Sequence, residues 1–187
     1  MDNDSSGVEK HLKDTFYRYQ KMAENENTIM QYNLAMLYEK GEGTEKNLEK
    51  AFYWYQTAAA NGDEFAMSNL GGCYKFGQGT EKNLEKAFYW YQKAAENGRG
   101  FAQYRLGHLY QNGQGTEKNL EKSFYWYQKA FNSYKIAVEN EHETSQNNLG
   151  YLYMTGKGTN KDVERAIYWY NKAIENGDEV AHYNLGN

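Results

Sequence analysis

The heptapeptide Thr-Glu-Lys-Asn-Leu-Glu-Lys stands three times in this chain, at 44–50, 80–86 and 116–122, each copy 36 residues after the last. A fixed period of that size marks a repeat array, in which each unit is one small motif that cannot bury its apolar face alone. Length therefore counts units rather than domains in these 187 residues. Aromatic residues make up 17%, with nineteen Tyr, too many for a disordered chain. The mean hydropathy of −1.02 argues against a membrane protein.

Residues 83–97 show what the unit is. Asn83 is a good N-cap and Gly98 sits where a left-handed glycine ends a helix. At 100° per residue, Leu84, Ala87, Phe88, Trp90, Tyr91, Ala94 and Ala95 share an arc of roughly 160°. Glu85, Tyr89 and Lys93 fall opposite. Equivalents of this aromatic helix begin near Leu12, Leu48, Leu120 and Val163.

A second helical pattern alternates with it, as in Ala66, Leu70, Gly71, Cys73, Tyr74 and Gly77. Glycine inside a helix costs about 1 kcal/mol relative to alanine, so Gly71 needs a reason. Close approach of the neighbouring aromatic helix supplies one. Copies of this glycine helix centre on Leu34, Leu70, Leu106, Leu149 and Leu185, and four end in Gly-x-Gly. The expected fold is all-α: an αα-hairpin solenoid of about ten antiparallel helices, covering 9–187 after a disordered tail at 1–8. Four complete hairpins are flanked by half-repeats, and neither end reads as a polar cap, so a fragment of a longer array is expected.

One unit breaks the period. Gly113 and Gly156 lie 43 residues apart, an insertion of seven near 131–138. The apolar stripe survives it, since Tyr127, Ala130 and Phe131 are echoed by Tyr134, Ala137 and Val138. One reading extends the aromatic helix to about Glu139; another adds one turn to each arm and bends the chain near Asn132 and Ser133. The polar pair Asn140-Glu141 favours the first.

The string Ala-x-x-x-Leu-Gly-x-x-Tyr-x-x-Gly-x-Gly at 102–115, with Lys-Ala-x-x-Trp-x-x-Lys-Ala-Ala-x-x-Gly at 86–98, resembles the Sel-one-like repeat family. The first unit departs from the pattern at Arg18, Glu26, Met30 and Ala35. The resemblance, like that to tetratricopeptide repeats, implies a right-handed superhelix with glycine helices on the concave side. It also implies a non-catalytic scaffold or adaptor in protein–protein interaction, possible roles including signalling and complex assembly.

Comparing the repeats with one another locates a candidate surface. Aromatic helices are near copies, whereas glycine helices vary on one face. The concave-face candidates for binding a protein or peptide are Tyr32, Met36, Phe65, Lys75, Phe101, Tyr104, His108, Gln111, Tyr151 and Met154. Several are too apolar to be idle solvent residues. Trp54, Trp90, Trp126 and Trp169 read as packing, and the outer Tyr53, Tyr89, Tyr125 and Tyr168 as partly exposed beside Lys stems.

Other chemistries find little support. Net charge is −4 with lysine and glutamate interspersed, which argues against nucleic acid. Gly-x-Gly follows helices and lacks the P-loop Gly-Lys-Ser/Thr. The four histidines lie in different units, and Cys73 takes a leucine slot. No catalytic residue, cofactor or metal is therefore expected. Cysteine-rich members of the resembled family, described as binding or cleaving β-lactams, carry a disulfide in each repeat; this chain has one cysteine. The other alternative is a spacer or regulatory region in a longer chain with a kinase or other catalytic domain. A monomer in the cytoplasm is expected, from the polar start and unpaired cysteine.

Overall fold

The computed structural model describes residues 3–138 and 143–186, and among them finds ten helices and no strand. They are α1 Asn3–Glu24, α2 Thr28–Lys40, α3 Leu48–Ala60, α4 Glu64–Phe76, α5 Leu84–Glu96, α6 Gly100–Asn112, α7 Leu120–Val138, α8 Glu143–Thr155, α9 Val163–Glu175 and α10 Glu179–Leu185. The chain divides into two compact units, Met1–Ala94 and Ala95–Asn187. Helix α1 begins at Asn3, so the helical array starts inside the stretch expected to be a tail.

Local chemistry sets the boundaries. Asn47 Oδ1 accepts from Lys50 N at 2.9 Å, and Asn83 and Asn119 make the same bond to Lys86 and Lys122. Each satisfies a donor that the first helical turn leaves unpaired. The four Gly-x-Gly loops are closed alike: the backbone N–H of Asn47, Asn83, Asn119 and Asp162 donates to Tyr38, Tyr74, Tyr110 and Tyr153 O.

Tyrosine, rather than tryptophan, fills the centre of each hairpin. Tyr55, Tyr91 and Tyr170 are at most 1% exposed, whereas the four tryptophans are half-buried. A Cβ added at Gly71 would stand 3.0 Å from the Tyr91 ring; at Gly107 it would be 2.9 Å from Tyr127, and at Gly150 2.8 Å from Tyr170. The glycines thus leave room for a tyrosine face against helical backbone, and that contact offsets their propensity cost.

A buried glutamine fastens most hairpins. Gln31 Nε2 donates to Ala23 O at 3.2 Å while its Oε1 accepts from Asn61 Nδ2 at 2.9 Å. Gln103 repeats the arrangement with Ala95 O and Ser133 Oγ, and Gln146 Oε1 accepts from Asn176 Nδ2. Leaving such a buried carbonyl or amide unpaired would cost about 1–3 kcal/mol.

The insertion lies in the aromatic helix. α7 has 19 residues where α3, α5 and α9 have 13, and α8 keeps 13. Asn132 and Ser133 are helical, which overturns the alternative bend there. The other proposed turn, Asn140-Glu141, lies outside the described residues.

The extra two turns are used by both neighbours of α7. Toward α6, Tyr127 covers Gly107 as usual, and Tyr134 covers Gly100 as well, 3.1 Å from where a Cβ would stand. Toward α8, the contacts move along the helix. Tyr38 and Tyr74 meet Phe16 and Phe52 edge-on at 5.2 and 5.3 Å, but Tyr153 meets Phe131 at 5.2 Å instead of the equivalent Phe124. Phe124 is left 52% exposed. Likewise Gly43 and Gly79 sit on the backbone of Leu12 and Leu48, equivalent positions of α1 and α3, whereas Gly158 sits on Tyr127, not on Leu120. The hairpin α8–α9 is therefore displaced along α7 by two turns, about 10 Å, with every type of contact preserved.

Candidate functional site

The variable positions of the glycine helices form a separate aromatic surface in each unit. In unit 1, Tyr32 lies 6.0 Å from Tyr55 and 5.8 Å from Phe65, centroid to centroid. Phe65 is 44% exposed, so much of it faces solvent beside Tyr32. Tyr55 Oη donates to Glu39 Oε2 at 2.6 Å, which brings a carboxylate to this face. Burial, then that carboxylate, hold the Tyr55 phenol far above its usual range, so it remains a donor. Met36 is half-buried on α2, and Lys75 places its Nζ 5.3 Å over the Phe76 ring.

Unit 2 is built differently. Tyr104 lies 5.5 Å from Tyr127 and 5.9 Å from Tyr151. Lys157, the middle residue of the Gly156–Gly158 loop, brings its Nζ over all three rings, at 5.8 Å from Tyr104, 5.1 Å from Tyr127 and 5.3 Å from Tyr151. It also donates to Tyr151 Oη at 3.3 Å. Tyr127 Oη donates to Gln111 Oε1 at 2.8 Å. An ammonium among ring faces is attracted by their negative quadrupoles and held in one place. Burial raises the Tyr104 and Tyr127 phenols, with Tyr151 the next cause for both, so they stay protonated at neutral pH. On the same helix Arg105 stacks on Phe101 at 4.7 Å, and Phe101 is 42% exposed. His108 is half-buried beside the Asn112 amide, and Met154 packs at the edge of the α7–α9 core.

The sequence-derived surface is thus gathered in part. Tyr32 with Phe65, and Tyr104 with Tyr151 and (through Tyr127) Gln111, stand in direct clusters. Lys157, Tyr127 and Arg105 belong to the unit 2 cluster and were not singled out from the sequence. Two signals pointed to Lys157: it replaces Glu42, Gln78 and Gln114 at the same loop position, and it follows the insertion.

On the aromatic helices, Tyr53, Tyr89, Tyr125 and Tyr168 stand edge-on to the tryptophan that follows each, at 5.1–5.2 Å. They are about half exposed, and Lys93 and Lys129 lie over Tyr89 and Tyr125. Cys73 is buried, and burial pushes its thiol up to about 12, which disfavours the thiolate a nucleophile requires. Among the described residues, no group of three or more His, Cys, Asp or Glu could hold a metal ion. None of the described helices is long and apolar enough to cross a membrane.

The Sel1 repeat profile matches residues 28–63, 65–98, 100–133 and 144–178. Among solved structures, a Sel1 repeat protein from Oxalobacter formigenes is 31% identical with a TM-score of 0.67, over 93% of this chain and 68% of that one. The antigen c5321 of uropathogenic Escherichia coli, which displays an SLR fold, is 24% identical with a TM-score of 0.59. The match covers 97% of this chain and about half, 49%, of that protein. No curated protein matches the chain. Sel1 repeat proteins are in general protein-interaction scaffolds and typically non-catalytic. With four matched repeats and an all-α hairpin architecture, this chain belongs to the Sel1 repeat family.

Proposed function

We infer that the chain is a scaffold whose glycine-helix faces receive a partner protein, in the manner of an adaptor for complex assembly or signalling. The observation that carries this reading is the placement of large aromatics. Tyr55, Tyr91 and Tyr170 stabilise the hairpins from inside, so Phe65 and Phe101, more than two-fifths exposed, are not needed there. Rigid aromatic side chains lose little conformational entropy on binding and dominate contact energies at interfaces. Within each unit the helical hairpins hold such side chains in fixed register, which favours an extended or helical peptide.

The test is capture of binding proteins from cells by immobilised chain, with proteins identified by mass spectrometry. Changing Phe101 and Tyr104 together to alanine is expected to remove specific partners while helicity stays intact. Tyr125→Ala, on the opposite helix type, is expected to keep them. Equal recovery by all three proteins would refute a role for the glycine-helix face.

A further inference from the structure

We propose that the Tyr104–Tyr127–Tyr151 cluster and its caged Lys157 form an anchor for a carboxylate on an acidic segment of a partner protein. The inference deepens the scaffold reading and rests on it. Lys157 is a preorganised cation. Its backbone is fixed between Gly156 and Gly158, whose φ angles are +69° and +72°, and its ammonium is held over three rings. A lysine normally loses much side-chain freedom when it grips a ligand; here that loss has largely occurred on folding. One of its three N–H groups is engaged by Tyr151 Oη, and the residue is half-buried. The Tyr104 and Tyr127 phenols around it stay protonated, so they repel no anion.

Charge on the surrounding surface agrees with this ligand and not with a basic one. The chain carries a net charge of −4, yet no Asp or Glu occurs in residues 100–116 or 145–161, which hold α6, all of α8 but its first two residues, and the loops that follow them. Those stretches carry Arg105, Lys157 and Lys161. The corresponding stretches of unit 1, 28–44 and 66–82, hold Glu39, Glu42 and Glu81, and Glu39 is tied to Tyr55 on the face itself. A positive, acid-free recess within an acidic protein steers carboxylates and disfavours basic segments. The recess also depends on the insertion, because only the two-turn displacement of α8–α9 brings the Gly156–Gly158 loop over Tyr127.

Fluorescein-labelled hexaglutamate, read by fluorescence anisotropy, tests the proposal, with hexalysine as the opposite probe. Saturable hexaglutamate binding is expected, weakening as salt rises through roughly 0.05–0.3 M. Lys157→Gln should weaken it roughly tenfold, whereas Lys157→Arg should retain most of it and Lys129→Gln, at an exposed lysine on the outer side of α7, all of it. Carbodiimide coupling of hexaglutamate to the unaltered protein provides an arm without substitution, and the amide bond should map chiefly to Lys157. Absence of binding, equal loss in Lys129→Gln, coupling spread over the exposed lysines, or tighter binding of hexalysine than of hexaglutamate by the unaltered protein would each overturn the proposal. The scaffold reading would survive those results if Phe101 and Tyr104 still governed partner capture, and would fall separately if they did not.

Discussion

Tyr55 and Tyr127 hold the same place in their hairpins, yet one hydroxyl meets the Glu39 carboxylate and the other the neutral Gln111 amide beneath a lysine. The carboxylate or amide is each hairpin's own, Glu39 on α2 and Gln111 at the equivalent place on α6, while loop closures and buried tyrosines agree. The lysine comes from where the next hairpin docks. In unit 1 the loop after α4 lies on Leu48, the first turn of α3; in unit 2 the loop after α8 lies on Tyr127, two turns into α7. A seven-residue insertion is close to two helical turns, so it returns the apolar stripe to nearly the same direction. The array can then slip along one helix without breaking a contact type, while new side chains become neighbours. Repetition supplies stability, and one break in it supplies a distinct surface.

The most damaging way to break this comparison is at the docking glycines. Gly158 has φ +72°, and a Cβ there would stand 2.3 Å from Gln128 N; at Gly79, with φ +68°, it would stand 2.0 Å from Leu48 O. Backbone cannot yield as a flexible side chain can. Gly158→Ala and Gly79→Ala are each expected to lower stability by about 3 kcal/mol or more. Amide exchange should quicken first in the altered unit. Normal melting for Gly158→Ala beside a large loss for Gly79→Ala would mean that α8 does not dock at Tyr127.

Next in size is the tyrosine-on-glycine contact, which both units share. Gly107→Val should cost about 2–3 kcal/mol in thermal or urea unfolding, because the Tyr127 ring is buried and cannot retreat. Gly72 offers a control one residue from Gly71. Its Cβ would meet only Tyr91 Oη, at 3.5 Å, so Gly72→Ala should stabilise by about 0.5–1 kcal/mol through helix propensity. A stabilising Gly71→Ala would refute the close-approach account.

Much of this was legible in the sequence. The 36-residue period gave the unit, and helical spacing with Asn83 and Gly98 gave helix ends that the structure reproduces. The wheel placed Trp90 and Tyr91 in one arc but could not rank them; only the glycine gap opposite makes Tyr91 the buried member. Stripe continuity put the insertion in one helix. It could not say that Tyr153 would choose Phe131 over Phe124, since both present the same residue to the same side. Lys157 was missed for the same reason: its three rings come from α6, α7 and α8, and their meeting depends on the slip. The Gln103 clasp escaped notice because its partners, Ala95 O and Ser133 Oγ, are a backbone atom and a residue peculiar to the long helix.

A smaller and more specific effect is expected at Gly100. Its counterpart in unit 1 is Glu64, a better helix former, so propensity alone predicts that Gly100→Glu stabilises. In the displaced packing its Cβ would stand 3.1 Å from Ser133 Cβ and from the Tyr134 ring. Gly100→Glu should therefore destabilise by about 1–2 kcal/mol, and Tyr134→Ala should relieve the clash, making the two changes non-additive in a double-mutant cycle. Additive effects would separate Gly100 from the extension of α7.

The mildest distinction between the units is alkaline sensitivity. Cys73 in unit 1 takes the position that Leu109 and Leu152 hold in unit 2, and burial raises its thiol from 9.0 to about 12. A folded thiol that resists ionisation stabilises the fold fully below pH 9, and the contribution is lost as pH rises from there toward 12. Above pH 9 the unfolded chain releases the proton while the folded chain keeps it, so the equilibrium shifts toward unfolding. Tyr170 in unit 2 is pushed up to about 12 as well, but its loss begins only above 10.0. Between pH 9 and 10 the decline in melting temperature should therefore follow Cys73, and Cys73→Leu should flatten it. An unaltered slope in that variant would show that the thiol ionises as readily in the fold as out of it, and that unit 1 is not the weaker half in alkali.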